Sequence, residues 1–268
     1  MKKKLGLVLA SGGAKGYIHI GVLKRLEEEN ITPDVISGSS IGALVGAMYA
    51  LGYSVKEIED MALKYDKKYL IEYRIPSISL LNPIKINKLL KEIFGNKKFE
   101  DTKIKLYIAA TNLTDEKPEY ISKGLIYEAV RKSIAIPGAF PPIKEKFKMY
   151  IDGGILSPIP IEPAKKEADI ILAVKFYYDF YLPFKKTPEI IDLFLKTLSA
   201  TGNNITQRII EKEKPNILLD CIESKKISTL DFKDPLPYIK IGYDKMDDEI
   251  ENLKKLLKKS KNIFTKKN

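Results

Sequence analysis

The sequence predicts an α/β protein built on a mostly parallel sheet with helices on both faces. Apolar runs of strand length alternate with amphipathic helical segments along the chain, and the first alternation, from Leu5 to Ser37, has about the minimum length of one βαβ unit. With 268 residues, 44% of them apolar, the chain can bury a sizeable core. It contains no internal repeat and no linker long enough to divide it, so a single domain over 1–268 is expected.

The elements follow in order. "LGLVLA" (5–10) is a short apolar run ending in small residues, which reads as a buried strand, and the glycine-rich turn "SGGAKG" follows it. In "YIHIGVLKRLEEEN", Ile18, Val22, Leu23 and Leu26 recur at helical spacing before a charged end, giving an amphipathic helix of about three turns. A second extended segment restarts at "ITPDVIS" after the proline. Ser54 and Glu57 form a capping box ahead of a helix to about Lys67, and Pro83 fits the first turn of a helix carrying Ile86, Leu89, Leu90 and Ile93. "KIKLYIAAT", "KMYI" and "ADIILAVKF" are strand-like, and "GLIYEAVRKSIAIPGAFPPI" is a helix stopped by prolines. Residues 187–268 read as a helical, basic region packed on the domain, with Ile250, Leu253, Leu257 and Phe264 on one helix face over 247–264.

Composition narrows the partners. The net charge of +11 and a pI near 9.3 favour anionic partners, lipid headgroups or nucleic acid, without choosing between them. The lysine-rich end reads as a solvated helix face or as a membrane-surface segment. Cys221, the single cysteine, excludes an internal disulfide and suits a reducing compartment, where it acts as a small buried hydrophobe. The apolar run behind the basic residues 1–4 stops at Leu9 and Ala10 without a cleavage site, so no targeting segment is read and a cytoplasmic, peripherally membrane-associated protein is expected.

The uncharged stretch "ISGSSIGALVGAMYALGY" (36–53) can be read in two ways. Gly38, Gly42 and Gly46 have the spacing of packed membrane helices. Its polar first third, however, leaves an apolar remainder short of the roughly 20 residues that span a bilayer. The other reading places "GSSIG" at a strand-to-helix junction, where the flanking glycines permit a tight turn and Ser40 is exposed at the sheet edge. The amides opening the following helix, beginning with Ile41, then point at whatever stands beside Ser40. In a right-handed βαβ unit the loops after both strands share one edge, which brings Gly12, Gly13 and Ala14 beside Ser40 with amides free to hold an oxyanion. Nucleotide readings of the same loop fail, because Lys15 is not followed by Ser or Thr, position 11 is Ser, and the second strand ends without an acid.

A serine nucleophile needs a proton acceptor. His19, the one histidine, sits near the start of a helix, where an imidazole resists protonation; it reads as a packed side chain, with a base role as the rival. Asp34 lies at the wrong end of its strand, roughly 20 Å from Ser40. Asp152 follows "KMYI" and precedes Gly153 and Gly154, so a sharp turn could present its carboxylate; locally, "DGG" reads equally well as a plain turn. To serve as a base near pH 7, its pKa must rise by about three units, roughly 4 kcal/mol, a shift that burial can supply.

Together, "SGGAKG", "YIHIGVLKRLEE", "GSSIG", "IPGAFPPI" and "DGGILSPIP" resemble a patatin-like phospholipase in order and spacing from about Leu5 to Phe176. The resemblance implies a three-layer α/β/α sandwich and a Ser-Asp dyad, with Ser40 as nucleophile, Asp152 as proton acceptor, and Gly12, Gly13 and Ala14 in the oxyanion loop. Gly38 and Gly42, and Gly153 and Gly154, complete the two motifs. The sequence departs from the family's G-G-G-x-R-G at Ser11 and Lys15, and lysine lacks the planar fork of arginine.

The activity implied is that of a lipid acyl hydrolase, of phospholipase A or lysophospholipase type, working through an acyl-enzyme on a lipid or phospholipid substrate. A non-catalytic lipid- or nucleic-acid-binding protein of the same fold is the alternative. No cofactor is implied: one histidine and one cysteine cannot assemble a zinc site, and no calcium loop is present. Nucleic acid is disfavoured by the lack of a recognised motif. "YLIEYRIPSISLL" (69–81) and "FYYDFYLPFKK" (176–186) suit a membrane interface, and equally ordinary packing.

Overall fold

A computed structural model of the chain describes residues 3–64, 83–177, 190–222 and 234–258. Segment 69–81, residues 178–186 of the second interfacial segment, and the chain beyond 258 lie outside the described residues. Among those described, eight strands form one sheet: β1 (Leu5–Leu9), β2 (Val35–Ser39), β3 (Lys105–Asn112), β4 (Lys117–Ile121), β5 (Ile143–Glu145), β6 (Lys148–Asp152), β7 (Ile170–Phe176) and β8 (Ile217–Cys221). Its parallel body runs β3-β2-β1-β7-β8, and β4, β5 and β6 pair antiparallel at one side.

The helices are α1 (Tyr17–Glu28), α2 (Ile41–Leu51), α3 (Val55–Lys64), α4 (Pro83–Phe94), α5 (Ile126–Ser133), α6 (Ile161–Lys165), α7 (Ile190–Glu213) and α8 (Leu236–Leu257). Right-handed crossovers put the helices linking β1, β2 and β3 on one face. On leaving β1 for β7 and β8 the strand order reverses, which sends α6 and α7 to the other face, where α6 packs on β1, β2 and β7. The result is a three-layer α/β/α arrangement. All five residues of β1 are buried, as a central strand covered on both sides requires.

The uncharged stretch resolves into β2, an elbow and α2. No helix among the described residues is long and apolar enough to cross a membrane. α2 is apolar nearly all round because it is buried against β2 and β3. Its glycine spacing serves the sheet: a Cβ on Gly42 would overlap the Leu9 carbonyl, and one on Gly46 would come within 2.9 Å of the Ile36 side chain.

Beyond β7, the expected helical region also supplies a strand, β8, at the sheet edge. The last helix begins at Leu236, earlier than its apolar spacing suggested, and it docks on α1. Ile239, Met246, Ile250 and Leu253 are buried there, while Arg25 meets Asp247 at 2.6 Å and Lys254 meets Glu29 at 2.6 Å. Gly21 and Gly242 make the approach reciprocal. A Cβ on either would overlap a backbone carbonyl of the opposite helix, that of Ile239 or of Ile18.

Candidate active site

The pairing of β3 builds the site. β4 occupies one side of β3, opposite Ile108–Asn112. The other side is shared: β2 pairs with Lys105–Ala109 and β6 with Ala110–Asn112. Ser39 and Asp152 therefore stand opposite successive residues, Ala109 and Ala110, and two strands of opposite direction end head-on. Ser40 is the next residue after β2. Its Oγ donates to Asp152 Oδ2 at 2.6 Å, although the two residues are 112 positions apart.

Ser40 has φ 53° and ψ −120°, a conformation that serine adopts at a cost on the order of 1–3 kcal/mol. Its amide donates to Ser133 Oγ at 2.8 Å, and that hydroxyl donates onward to the Ala109 carbonyl at 2.6 Å. Ser133 closes α5 and is fully buried, so the strained turn is pinned to the strand that also positions β6. Sequence reasoning missed this residue, which belongs to no motif.

Asp152 is 5% exposed. Burial raises its carboxyl pKa to about 7, against the lowering effect of hydrogen bonds from Ser40 Oγ and from the Gly154 amide, which reaches Oδ1 at 2.7 Å. The two glycines after it are enforced by space: a Cβ on Gly153 would overlap the Ala109 carbonyl, and one on Gly154 would overlap Ser11 Oγ. Thr111 Oγ1 donates to the Asp152 carbonyl at 2.9 Å, fixing the turn from beneath.

Ser11, Gly12, Gly13, Ser40, Asp152 and Gly154 line one small cavity of about 40 Å³, with Ile136, Ile155 and Leu198 as apolar lining. Gly12 and Gly13 thus join the pair, while Ala14 and Ile41 are not in the lining; Ala14 is buried in the turn, and Ile41 directly follows Ser40. Among the described residues, no hydrogen bond uses the amide of Gly12, Gly13, Ala14 or Ile41. Gly38 lies in β2, where a Cβ would overlap the Gly42 carbonyl. Lys15 is fully buried and donates to the Tyr177 carbonyl at 2.5 Å, tying the loop to the end of β7. A wider depression of about 490 Å³, lined by Tyr53, Glu57, Glu92 and Asp101, holds none of the motif residues.

His19 is fully buried on the other side of this loop. Its Nε2 meets the Ala10 carbonyl at 2.8 Å, its ring packs on Phe176 at 4.6 Å, and burial lowers its pKa to about 4. It makes no contact with Ser40 or Asp152 among these interactions. Asp34 accepts from the Leu5 amide at 2.7 Å, at the opposite end of the sheet.

A three-layer sandwich with a serine at a strand-to-helix elbow, against a buried carboxylate, defines a class of α/β folds built around G-x-S-x-G. Within it, the chain belongs to the patatin-like phospholipase family, whose model matches residues 7–165. Lysophospholipase nte1 of Aspergillus fumigatus is 34% identical over 179 residues, covering 64% of this chain and 12% of that protein. Lysophospholipase NTE1 of Lodderomyces elongisporus is 30% identical over 285 residues, covering 94% and 20% respectively. The chain therefore spans 12–20% of the length of these curated relatives. Among solved structures, VipD from Legionella pneumophila shares the fold, with a TM-score of 0.56 at 14% identity over 94% of this chain and 67% of that one.

Proposed function

We propose that this protein is a lipid acyl hydrolase, of phospholipase A or lysophospholipase type, that cleaves fatty-acyl esters through a Ser40-Asp152 dyad. The observation that carries the reading is the 2.6 Å hydrogen bond from Ser40 Oγ to a buried carboxylate whose pKa stands at about 7. An ordinary aspartate, near 3.9, would be too weak a base at neutral pH; one near 7 can take a proton and return it. The family and the names of the lysophospholipase relatives support a lipid ester as substrate.

Ionised Asp152 accepts the Ser40 proton as Oγ attacks the ester carbonyl carbon. The oxyanion is held by the amides of Gly12 and Gly13, supported by those of Ala14 and Ile41. Collapse expels the alcohol, which takes the proton from Asp152 and leaves an acyl-Ser40 ester. Water then attacks that ester as Asp152 accepts a second proton; collapse releases the fatty acid and returns the proton to Ser40. Ser40→Ala is expected to reduce hydrolysis of lysophospholipid and long-acyl esters to background while the circular dichroism spectrum is retained. Substantial turnover by purified Ser40→Ala would remove the assignment.

A further inference from the structure

The turn joining β5 to β6 carries a feature that folding does not require. Its two residues are Lys146 and Phe147. Lys146 has φ 52°, a left-handed value at which glycine or asparagine is ordinary in a hairpin. Phe147 is 95% exposed, so the ring contributes almost nothing to the core. Single exposed apolar residues are common on protein surfaces, and the neighbourhood decides whether one has a role.

Here the neighbourhood is cationic and includes a second apolar residue. Lys146 and Lys148 flank Phe147 in the sequence, Lys144 lies in β5 just before the turn, and all three are exposed. Three of the acids at this corner are matched: Glu145 pairs with Lys132 at 2.6 Å, Glu119 with Lys148 at 3.3 Å, and Asp115 with Lys117 at 3.5 Å, while Glu116, exposed in the turn after β3, makes no ion pair among the described residues. Lys144 and Lys146 make no ion pair among the described residues. Leu113, 46% exposed in the turn after β3, donates its amide to the Met149 carbonyl at 2.8 Å and so lies at the same corner. β6 runs from this tip directly to Asp152, which puts the turn about 17 Å from the carboxylate, beyond the end of β2.

We propose that the Lys146-Phe147 turn docks the protein on an anionic lipid bilayer, with the Phe147 ring entering the interface and Lys144 and Lys146 meeting the headgroups. An aromatic ring with cations on both sides matches such a surface in both of its properties, apolar depth and negative charge. The inference rests on the lipid-hydrolase reading for its choice of lipid as the partner. It assigns membrane contact to residues other than those of the segments 69–81 and 176–186 named in the sequence.

The test uses full-length Ser40→Ala protein, so that binding is measured without turnover, in sedimentation with vesicles of phosphatidylcholine alone or mixed with phosphatidylserine. The parent is expected to bind the mixed vesicles more tightly. Phe147→Ala should weaken that binding about tenfold or more, the scale of burying one such ring. Lys144→Glu combined with Lys146→Glu should weaken it by a similar factor at low salt, with the gap closing as salt rises. Melting temperatures should not move, because the three side chains are exposed. The proposal is overturned if the parent ignores anionic vesicles, or if both variants bind as it does. It also falls if Phe147→Asp splits a dimer in gel filtration without altering vesicle binding. Vesicle binding through Phe147 by a protein that cleaves no ester would sink the hydrolase reading and leave this surface standing.

Discussion

Replacing Asp152 by asparagine perturbs two observables through one group. The amide can keep both hydrogen bonds, accepting from the Gly154 amide through Oδ1 and donating through Nδ2 to Ser40 Oγ, but it cannot take a proton. In the folded protein the carboxyl pKa is about 7 against a reference of 3.8, a rise of about three units and worth about 4 kcal/mol. A raised folded pKa contributes stability that is fully present below the unfolded value and lost as pH climbs through the folded one. Asp152 therefore weakens the fold progressively from about pH 4 to pH 7.

His19 acts in the opposite direction over nearly the same range. Its pKa falls from 6.5 to about 4, so its contribution, about 3 kcal/mol, is present above pH 6.5 and lost as pH falls towards 4. In the parent protein the two slopes nearly cancel. Asp152→Asn leaves the histidine slope alone, so the stability of the variant relative to the parent should grow by about 4 kcal/mol between pH 4 and 7 and level off above. Urea denaturation of both proteins at a series of pH values reads this directly, since every other titrating group is common to both. In parallel, the kcat/KM of the parent should fall about tenfold per pH unit below 7, and the variant should lose about 10²–10⁴ in rate. Parallel stability curves across this range, or parent activity undiminished at pH 5, would refute a buried, raised Asp152 as the base.

Three further outcomes follow from the same geometry. Ser133→Ala leaves the Ser40 amide and the Ala109 carbonyl without their shared hydroxyl; we expect a cost of about 1–3 kcal/mol in urea unfolding and a fall in kcat with little change in KM, and equal loss in both kinetic terms would argue against a role at the elbow. His19→Gln, which can still donate to the Ala10 carbonyl, should keep most activity in the same ester assay; a loss as deep as that of Asp152→Asn would return the imidazole to the mechanism. Gly242→Ala forces α8 away from the Ile18 carbonyl and should lower the urea midpoint by about 1–3 kcal/mol of stability, and an unchanged midpoint would mean the two helices are not packed as described.

Local signals identified the first βαβ unit, because strand, glycine loop, amphipathic helix and elbow each carry their own pattern. From the local pattern alone Asp152 could be placed at a strand end but not beside Ser40; only the family resemblance paired the two. Its strand is antiparallel to β3, and in an ordinary register its C-terminal end would lie at the opposite edge of the sheet; only the division of one side of β3 between β2 and β6 brings it to the serine. That division depends on pairing between distant segments, which no local pattern encodes. β4 was hidden because "KPEYI" has a proline, two charges and no buried face, and β5 because three residues carry no period. The start of α8 was obscured by Lys240, Asp244, Asp247 and Asp248 among its apolar positions. Ser133 was invisible for a different reason: a small polar residue at a helix end resembles any other until its two partners are known.

The shared side of β3 also separates the chemistry from the chain that links its two halves. Adjacent rungs on a single strand fix the spacing of hydroxyl and carboxylate, so insertions, deletions or exchanged loops between residues 40 and 152 need not alter it, provided those rungs and the Ser133 hydroxyl survive. Residues 65–82 fall within that interval. Selection could therefore rewrite loops of that interval without changing the spacing of Ser40 and Asp152.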